Sequence, residues 1–137
     1  MKSFKYLFLL VIALTITVAS CKKDEEPKSK KELLTSNQWR FLSSKTDGVA
    51  DMISNCEKDD FMIFASNGTY TWNPGTVKCN SHDTIITGTW TLSTDEKTLT
   101  LDGSDLLWTI VELTDNKLVY SIVLSIEHAH EYTYIAL

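Results

Sequence analysis

Residues 60–73 read Asp60-Phe61-Met62-Ile63-Phe64-Ala65-Ser66-Asn67-Gly68-Thr69-Tyr70-Thr71-Trp72-Asn73, and their reading decides the fold. Two runs of apolar, aromatic and β-branched residues flank Asn67-Gly68, the strongest short-range signal for a β-hairpin. A two-residue turn there opposes residues whose numbers sum to 135. A three-residue turn with a bulge at Gly68 moves the sum to 134. The second register suits the pleat better, because it sets Met62 against Trp72 and Phe64 against Tyr70 on one face. Cys56 and Cys79 also sum to 135, so under either register they meet within one residue at the open end of the hairpin. A Cys56–Cys79 disulfide is therefore expected, contributing roughly 3 kcal/mol by restricting the unfolded chain. The alternative is two free buried thiols.

Working outward, the two-residue rhythm continues. Strands are expected near 38–45, 60–66, 69–74, 85–92, 97–101, 106–114, 117–126 and 130–136. Thr89-Trp90-Thr91-Leu92 and Thr98-Leu99-Thr100-Leu101 alternate polar and apolar residues, as half-buried strands do. Ser93-Thr94-Asp95-Glu96, Asp102-Gly103-Ser104-Asp105 and Asp115-Asn116 supply turn chemistry between them. Strands at such spacing form an antiparallel meander that closes into a barrel or folds as a sandwich. The class is all-β, with about eight strands. One helical turn is expected, at residues 30–35, where Leu33 and Leu34 would plug a barrel end.

The first residues carry an address. Lys2 and Lys5 precede an uncharged apolar run over 6–18, and Val18-Ala19-Ser20 places small residues ahead of Cys21. This is the build of a secretory signal. The run is shorter than the roughly 18–20 residues that span a bilayer, which argues against an uncleaved transmembrane anchor. Val18-Ala19-Ser20-Cys21 resembles the lipobox of bacterial lipoproteins, and that resemblance implies cleavage after residue 20 and lipidation of Cys21. The competing role for Cys21 is a disulfide partner. Residues 21–31 then form a charged stretch that cannot bury anything, a tether. Its Cys21-Lys22-Lys23-Asp24-Glu25 resembles a surface-export signal of Gram-negative lipoproteins. The expected location is the outer membrane, lipid-anchored and facing outward, with retention on the periplasmic side as the alternative. That compartment is oxidising and suits the Cys56–Cys79 pair.

Loss of residues 1–20 leaves 117 of 137 residues, one domain's worth. It removes Lys2 and Lys5, taking 13 basic residues to 11 against 18 acids, a net charge of −7. The acidic excess is dispersed and no basic, aromatic-interleaved patch appears, so nucleic acid is not an expected partner.

Several blocks together resemble the bacterial lipocalin-like lipoproteins: Leu33-Leu34-Thr35-Ser36-Asn37-Gln38-Trp39, Asp59 through Tyr70, Cys79, Thr87-Gly88-Thr89-Trp90, and Thr109-Ile110-Val111-Glu112-Leu113-Thr114-Asp115. Their order matches as well as their content, from residue 32 to about 125. The resemblance implies an antiparallel meander barrel over 32–137, the cysteine bridge and no established catalytic residues. The Gly-x-Trp of the true lipocalins reads Asn37-Gln38-Trp39 here.

An eight-stranded barrel is just wide enough to be filled by side chains or to hold one small molecule. The residues expected inside are Trp39, Phe41, Met62, Phe64, Tyr70, Trp72, Trp90, Trp108 and Tyr120, with Leu99 and Leu101. Each aromatic buries about 150–250 Å², so this set favours a packed core over a cavity. No nucleophile elbow, zinc-protease helix, phosphate loop or Cys-x-x-Cys occurs, and the reading assigns no catalytic residue, cofactor or metal. His128 and His130 would share a strand face, opposite Glu127 and Glu131. A metal site would need His82 or another ligand to converge on them. Glu57, Asp59 and Asp60 have the composition of a calcium site but sit where acids commonly cap a strand edge. Asp83-Thr84-Ile85 resembles an O-glycosylation tripeptide of Gram-negative exported proteins, and Asn67-Gly68-Thr69 matches the N-glycosylation pattern inside a tight turn. The expected function is a non-enzymatic binding or interaction module at the cell envelope, with an envelope protein as partner. The alternative is a carrier of a small apolar ligand inside the barrel.

Overall fold

The computed structural model describes residues 26–125 and 128–137. The expected signal segment, Cys21 and the first part of the charged stretch lie outside the described residues. Along the chain run a short helix α1 (Lys30–Thr35) and strands β1 (Gln38–Thr46), β2 (Val49–Ala50), β3 (Phe61–Phe64), β4 (Thr69–Asn73), β5 (Ile86–Leu92), β6 (Thr98–Leu101), β7 (Leu107–Leu113), β8 (Lys117–Ser125) and β9 (His128–Ala136). From β3 to β9 each strand pairs antiparallel with the next, and β1 pairs with β3 on one side and β9 on the other. The sheet closes on itself. Closure pairs both sides of the eight barrel strands, which removes the long open edges of a flat sheet.

The eight walls stand close to their expected positions, and β2 is an addition. It is a two-residue strand folded back on β1, with Thr46 opposite Val49 and Lys45 opposite Ala50. The turn between them is Asp47-Gly48, both at positive φ, the backbone that a two-residue hairpin requires. Pairing shifts between Phe41 and Ser43, between Ile110 and Glu112, and between Val123 and Ser125. Such irregularities add the bend that a small barrel needs to close.

The central hairpin takes the register with a bulge at Gly68. Met62 faces Trp72 and Phe64 faces Tyr70. Gly68 lies at φ +86° and donates its N–H to the Ala65 carbonyl, while Asn67 Oδ1 accepts the Thr69 N–H. The ladder stops at Phe61 and Asn73. The Cys56–Cys79 disulfide, with Cα atoms 5.1 Å apart, therefore forms beyond the strands and ties the β2–β3 loop to the β4–β5 loop.

The meander gives the barrel two unlike ends. At one end the tight β3–β4, β5–β6 and β7–β8 turns gather around α1. Ser29 Oγ accepts the Glu32 N–H, and the Glu32 carboxylate accepts the Ser29 N–H at 2.7 Å, a complete capping box. Lys30 Nζ reaches the Glu96 carbonyl and Asn37 Nδ2 the Asp115 carbonyl, fixing the helix to two turns. The domain's contacts thus begin within the 21–31 stretch. Leu34 is fully buried, and its carbonyl accepts the Trp39 indole N–H at 2.9 Å. Leu34 alone fills the plug position, since Leu33 is half-exposed. The other end carries the longer loops 51–60, 74–85 and 102–106, and forms the mouth.

Candidate functional site

Alternation along each strand sends one set of side chains inward, but that set splits into two layers. Trp39, Phe64, Trp90, Leu99 and Leu118 pack over Leu34 as a floor. Trp90 meets Phe64 edge-on, with ring centroids 5.6 Å apart, and donates its indole N–H to the Ala65 carbonyl at 3.0 Å. Both buried indole donors are satisfied by backbone, as such groups require.

Above the floor the barrel is open. A cavity of about 320 Å³ lies toward the mouth, with Met62, Tyr70 and Trp72 on the β3–β4 side and Trp108, Tyr120, Ile122, Tyr132 and Tyr134 on the β7–β9 side. Ile86 and Leu101 complete its wall. Of the residues expected inside, Met62, Tyr70, Trp72, Leu101, Trp108 and Tyr120 reach this space. Trp39, Phe64 and Trp90 do not, because they form the floor, and Phe41 tilts against Tyr134 in the wall instead. The expected packed core is corrected accordingly. The aromatic bulk is concentrated in the floor and walls, and the cavity falls within the range of small-molecule sites.

Tyr120 is the centre of the β7–β9 wall. Its ring stacks on Trp108 at 4.4 Å, on Tyr132 at 5.3 Å and on Tyr134 at 5.7 Å. Its hydroxyl donates to the Tyr134 hydroxyl at 3.2 Å. Burial raises the phenol of Tyr120 well above its ordinary value. Burial likewise pushes Tyr134 up to about 12, against the lowering effect of the Tyr120 hydrogen bond. Both remain neutral at physiological pH. On the opposite wall, Tyr70 donates to Asp102 at 2.8 Å, and Asp102 also accepts the Thr89 N–H at 2.7 Å. The Thr89 backbone bond, then the Tyr70 hydroxyl, hold the Asp102 carboxyl below its ordinary pKa.

A niche of about 160 Å³ adjoins the cavity and shares Trp72, Tyr132 and Tyr134 with it. Phe41, Glu57 and Asp60 complete its lining. Asp60 stands two residues before Met62 and four before Phe64, on the same inward face. Its Oδ1 is buried without a hydrogen-bond partner among the described residues. Desolvation, then the charges of Asp59, Glu57 and Asp83, raise its carboxyl to about 6, while Lys78 opposes them. Asp59 does different work. Its Oδ2 accepts the Thr76 and Val77 N–H groups at 2.6 and 3.1 Å, and these bonds lower its pKa. Gly75, at φ +61°, makes this approach possible, since a Cβ there would lie 2.3 Å from Asp59 Cγ.

Sequence reading missed Ile86, Ile122, Tyr132, Tyr134 and the inward turn of Asp60. The alternation of Tyr132 and Tyr134 in the last strand was signal enough for the wall. The histidines lie elsewhere. His128 contacts Asp47 at 2.9 Å, and His130 Nδ1 lies 3.2 Å from Thr46 Oγ1. Glu127 lies outside the described residues. Among the described residues no three His, Cys, Asp or Glu side chains gather as a metal site. Thr84 is exposed in the β4–β5 loop, and Asn67 is engaged within its own turn.

A family model described as a lipocalin-like domain matches residues 36–120, well over half of the chain. Among curated proteins no match is found. Among solved structures, a complex of bovine odorant binding protein with a selenium-containing odorant aligns at 18% identity with a TM-score of 0.49, covering 83% of this chain and 76% of that one.

Proposed function

This chain belongs to the lipocalin-like domain family, and from that premise we propose that it is a lipid-anchored binding protein of the bacterial outer membrane, non-enzymatic, that carries a small apolar ligand in its barrel. The observation that carries this reading is the 320 Å³ space walled by Trp72, Trp108, Tyr120, Tyr132 and Tyr134. An apolar molecule entering it leaves water for aromatic surface, at about 25 cal/mol per Å² removed from water. The anchor is proposed from Val18-Ala19-Ser20-Cys21, and outward display from Lys22-Lys23-Asp24-Glu25.

A second reading, contact with an envelope protein partner, draws on the mouth loops. Met52 is 98% exposed, and Val77 and Ile85 stand largely in solvent on the neighbouring loop.

Tryptophan emission tests the carrier directly, because Trp72 and Trp108 flank the cavity. A panel of fatty acids, sterol-like and haem-like compounds should include one that shifts emission saturably, with Trp72→Ala weakening the response. Silence across the panel overturns the carrier reading in favour of the partner reading. The anchor is tested separately: Cys21→Ala should lose fatty-acid label and membrane association in a Gram-negative host, and unchanged labelling overturns it.

A further inference from the structure

The barrel interior combines two chemistries. The cavity proper is apolar, while the niche beside it pairs aromatic faces with carboxylates. The part-buried Asp60 carboxylate lines that niche together with Glu57, and a charge partly withdrawn from water favours a counter-charge beside it. Phe41, Trp72, Tyr132 and Tyr134 surround the same small space. Aromatic faces attract cations through the ring quadrupole, and aromatic niches recognise ammonium groups. The surrounding charge has the same preference. Glu57 lines the niche, Asp59 and Asp83 act on Asp60 from nearby, and the opposing Lys78 donates to the Gly75 carbonyl at 3.0 Å.

Resting on the carrier reading, we propose that the ligand is a small amine, with its apolar body in the cavity and its ammonium group in the niche against Asp60. The shared residues Trp72, Tyr132 and Tyr134 make the two spaces neighbours, so one molecule of modest size reaches both. The ammonium supplies a counter-charge to Asp60 and Glu57, the two carboxylates that line the niche. Trp108, Tyr120 and Tyr132 give the cavity an aromatic wall for the apolar body. A ligand carrying a carboxylate in the same place would meet Asp60 and Glu57 at close range, and like charges there repel.

Isothermal titration of the full chain at pH 7.5 with 2-naphthylmethylamine, 2-naphthylmethanol and 2-naphthylacetate separates the possibilities. These probes share an apolar body and differ in the head. The amine should bind at least about tenfold more tightly than the alcohol, a difference of about 1.4 kcal/mol, and the acid should bind most weakly. Asp60→Asn should equalise amine and alcohol by lowering the amine's affinity about tenfold. A cooperative thermal melt of the variant reports that it is folded. Equal binding of amine and alcohol by the wild type, or tightest binding of the acid, overturns the amine preference and leaves the carrier reading standing. Absence of saturable binding by all three probes overturns the amine proposal. The carrier reading falls with it only when the wider apolar panel is silent too.

Discussion

Replacing Cys56 and Cys79 together with serine probes how the mouth is built. The bridge closes a segment with a sequence separation of 23. For a loop of that length, chain-entropy reasoning gives roughly 3 kcal/mol at 25 °C. The strands themselves should survive, because the ladder ends at Phe61 and Asn73, short of either cysteine. The Asp59 bonds to Thr76 and Val77 still join the same two loops in the native state. They do not compensate, since native contacts leave the unfolded ensemble as large as before. Urea denaturation followed by tryptophan emission should show the folding free energy reduced by about 3 kcal/mol, with a higher m-value because the uncrosslinked denatured chain exposes more surface. In a domain of this size the melting temperature should fall by about 10 °C. A loss below about 1 kcal/mol with an unchanged m-value would refute the reasoning, because the bridge would not then be limiting the unfolded chain.

Two further substitutions test the mouth and the wall. Gly88→Ala places a Cβ 2.2 Å from Asp102 Oδ1 and 2.6 Å from Tyr70 Cε1, and Asp102 is pinned by two hydrogen bonds. Thermal denaturation should register a loss of about 2 kcal/mol, typical of overpacking; an unchanged melting temperature would show that Asp102 moves aside freely. Asp60→Asn tests the niche through pH. With the folded carboxyl raised from 3.8 to about 6, the native state holds its proton more tightly than the unfolded chain does. Its contribution to stability is therefore fully present below about pH 4 and is lost as pH rises through about 6. The variant lacks that loss. It should melt above the wild type at pH 7 and alongside it near pH 4, and the opposite order would contradict the assignment.

Much of this architecture was legible because the strand period is short and local. Asn67-Gly68 fixed one hairpin, and alternation around Trp90 and Leu99 fixed the inward face. The same turn rule applied to Asp47-Gly48 would have found β2, but Val49-Ala50 is too short to look like a strand. The layering inside the barrel was not legible. Whether Trp39 or Trp72 bounds free space depends on which barrel end each inward residue occupies, and that follows from closure and strand tilt. Trp39 and Trp90 are alike in sequence character to Trp72 and Trp108, yet the first pair lies in the floor and the second beside the cavity. Asp60 was misread for a related reason. As an acid before a strand it looked like an edge cap, while its spacing from Met62 and Phe64 placed it on the inward face. Tyr132 and Tyr134 alternate with Thr133 and Ile135 as clearly as the residues of Thr98-Leu99-Thr100-Leu101 do, a pattern that marks an inward face.

In the carrier reading, ligand occupies the space between the Tyr120 wall and Trp72. Ile122 is buried and lines that space, so Ile122→Trp adds an indole to the cavity without disturbing the floor. Calorimetric titration of both proteins with the tightest-binding apolar compound is the most direct measurement. One saturable site in the wild type, and its loss in an Ile122→Trp protein that still melts cooperatively, is the predicted result. Equal affinity in the two proteins would place the ligand outside the barrel and contradict the account.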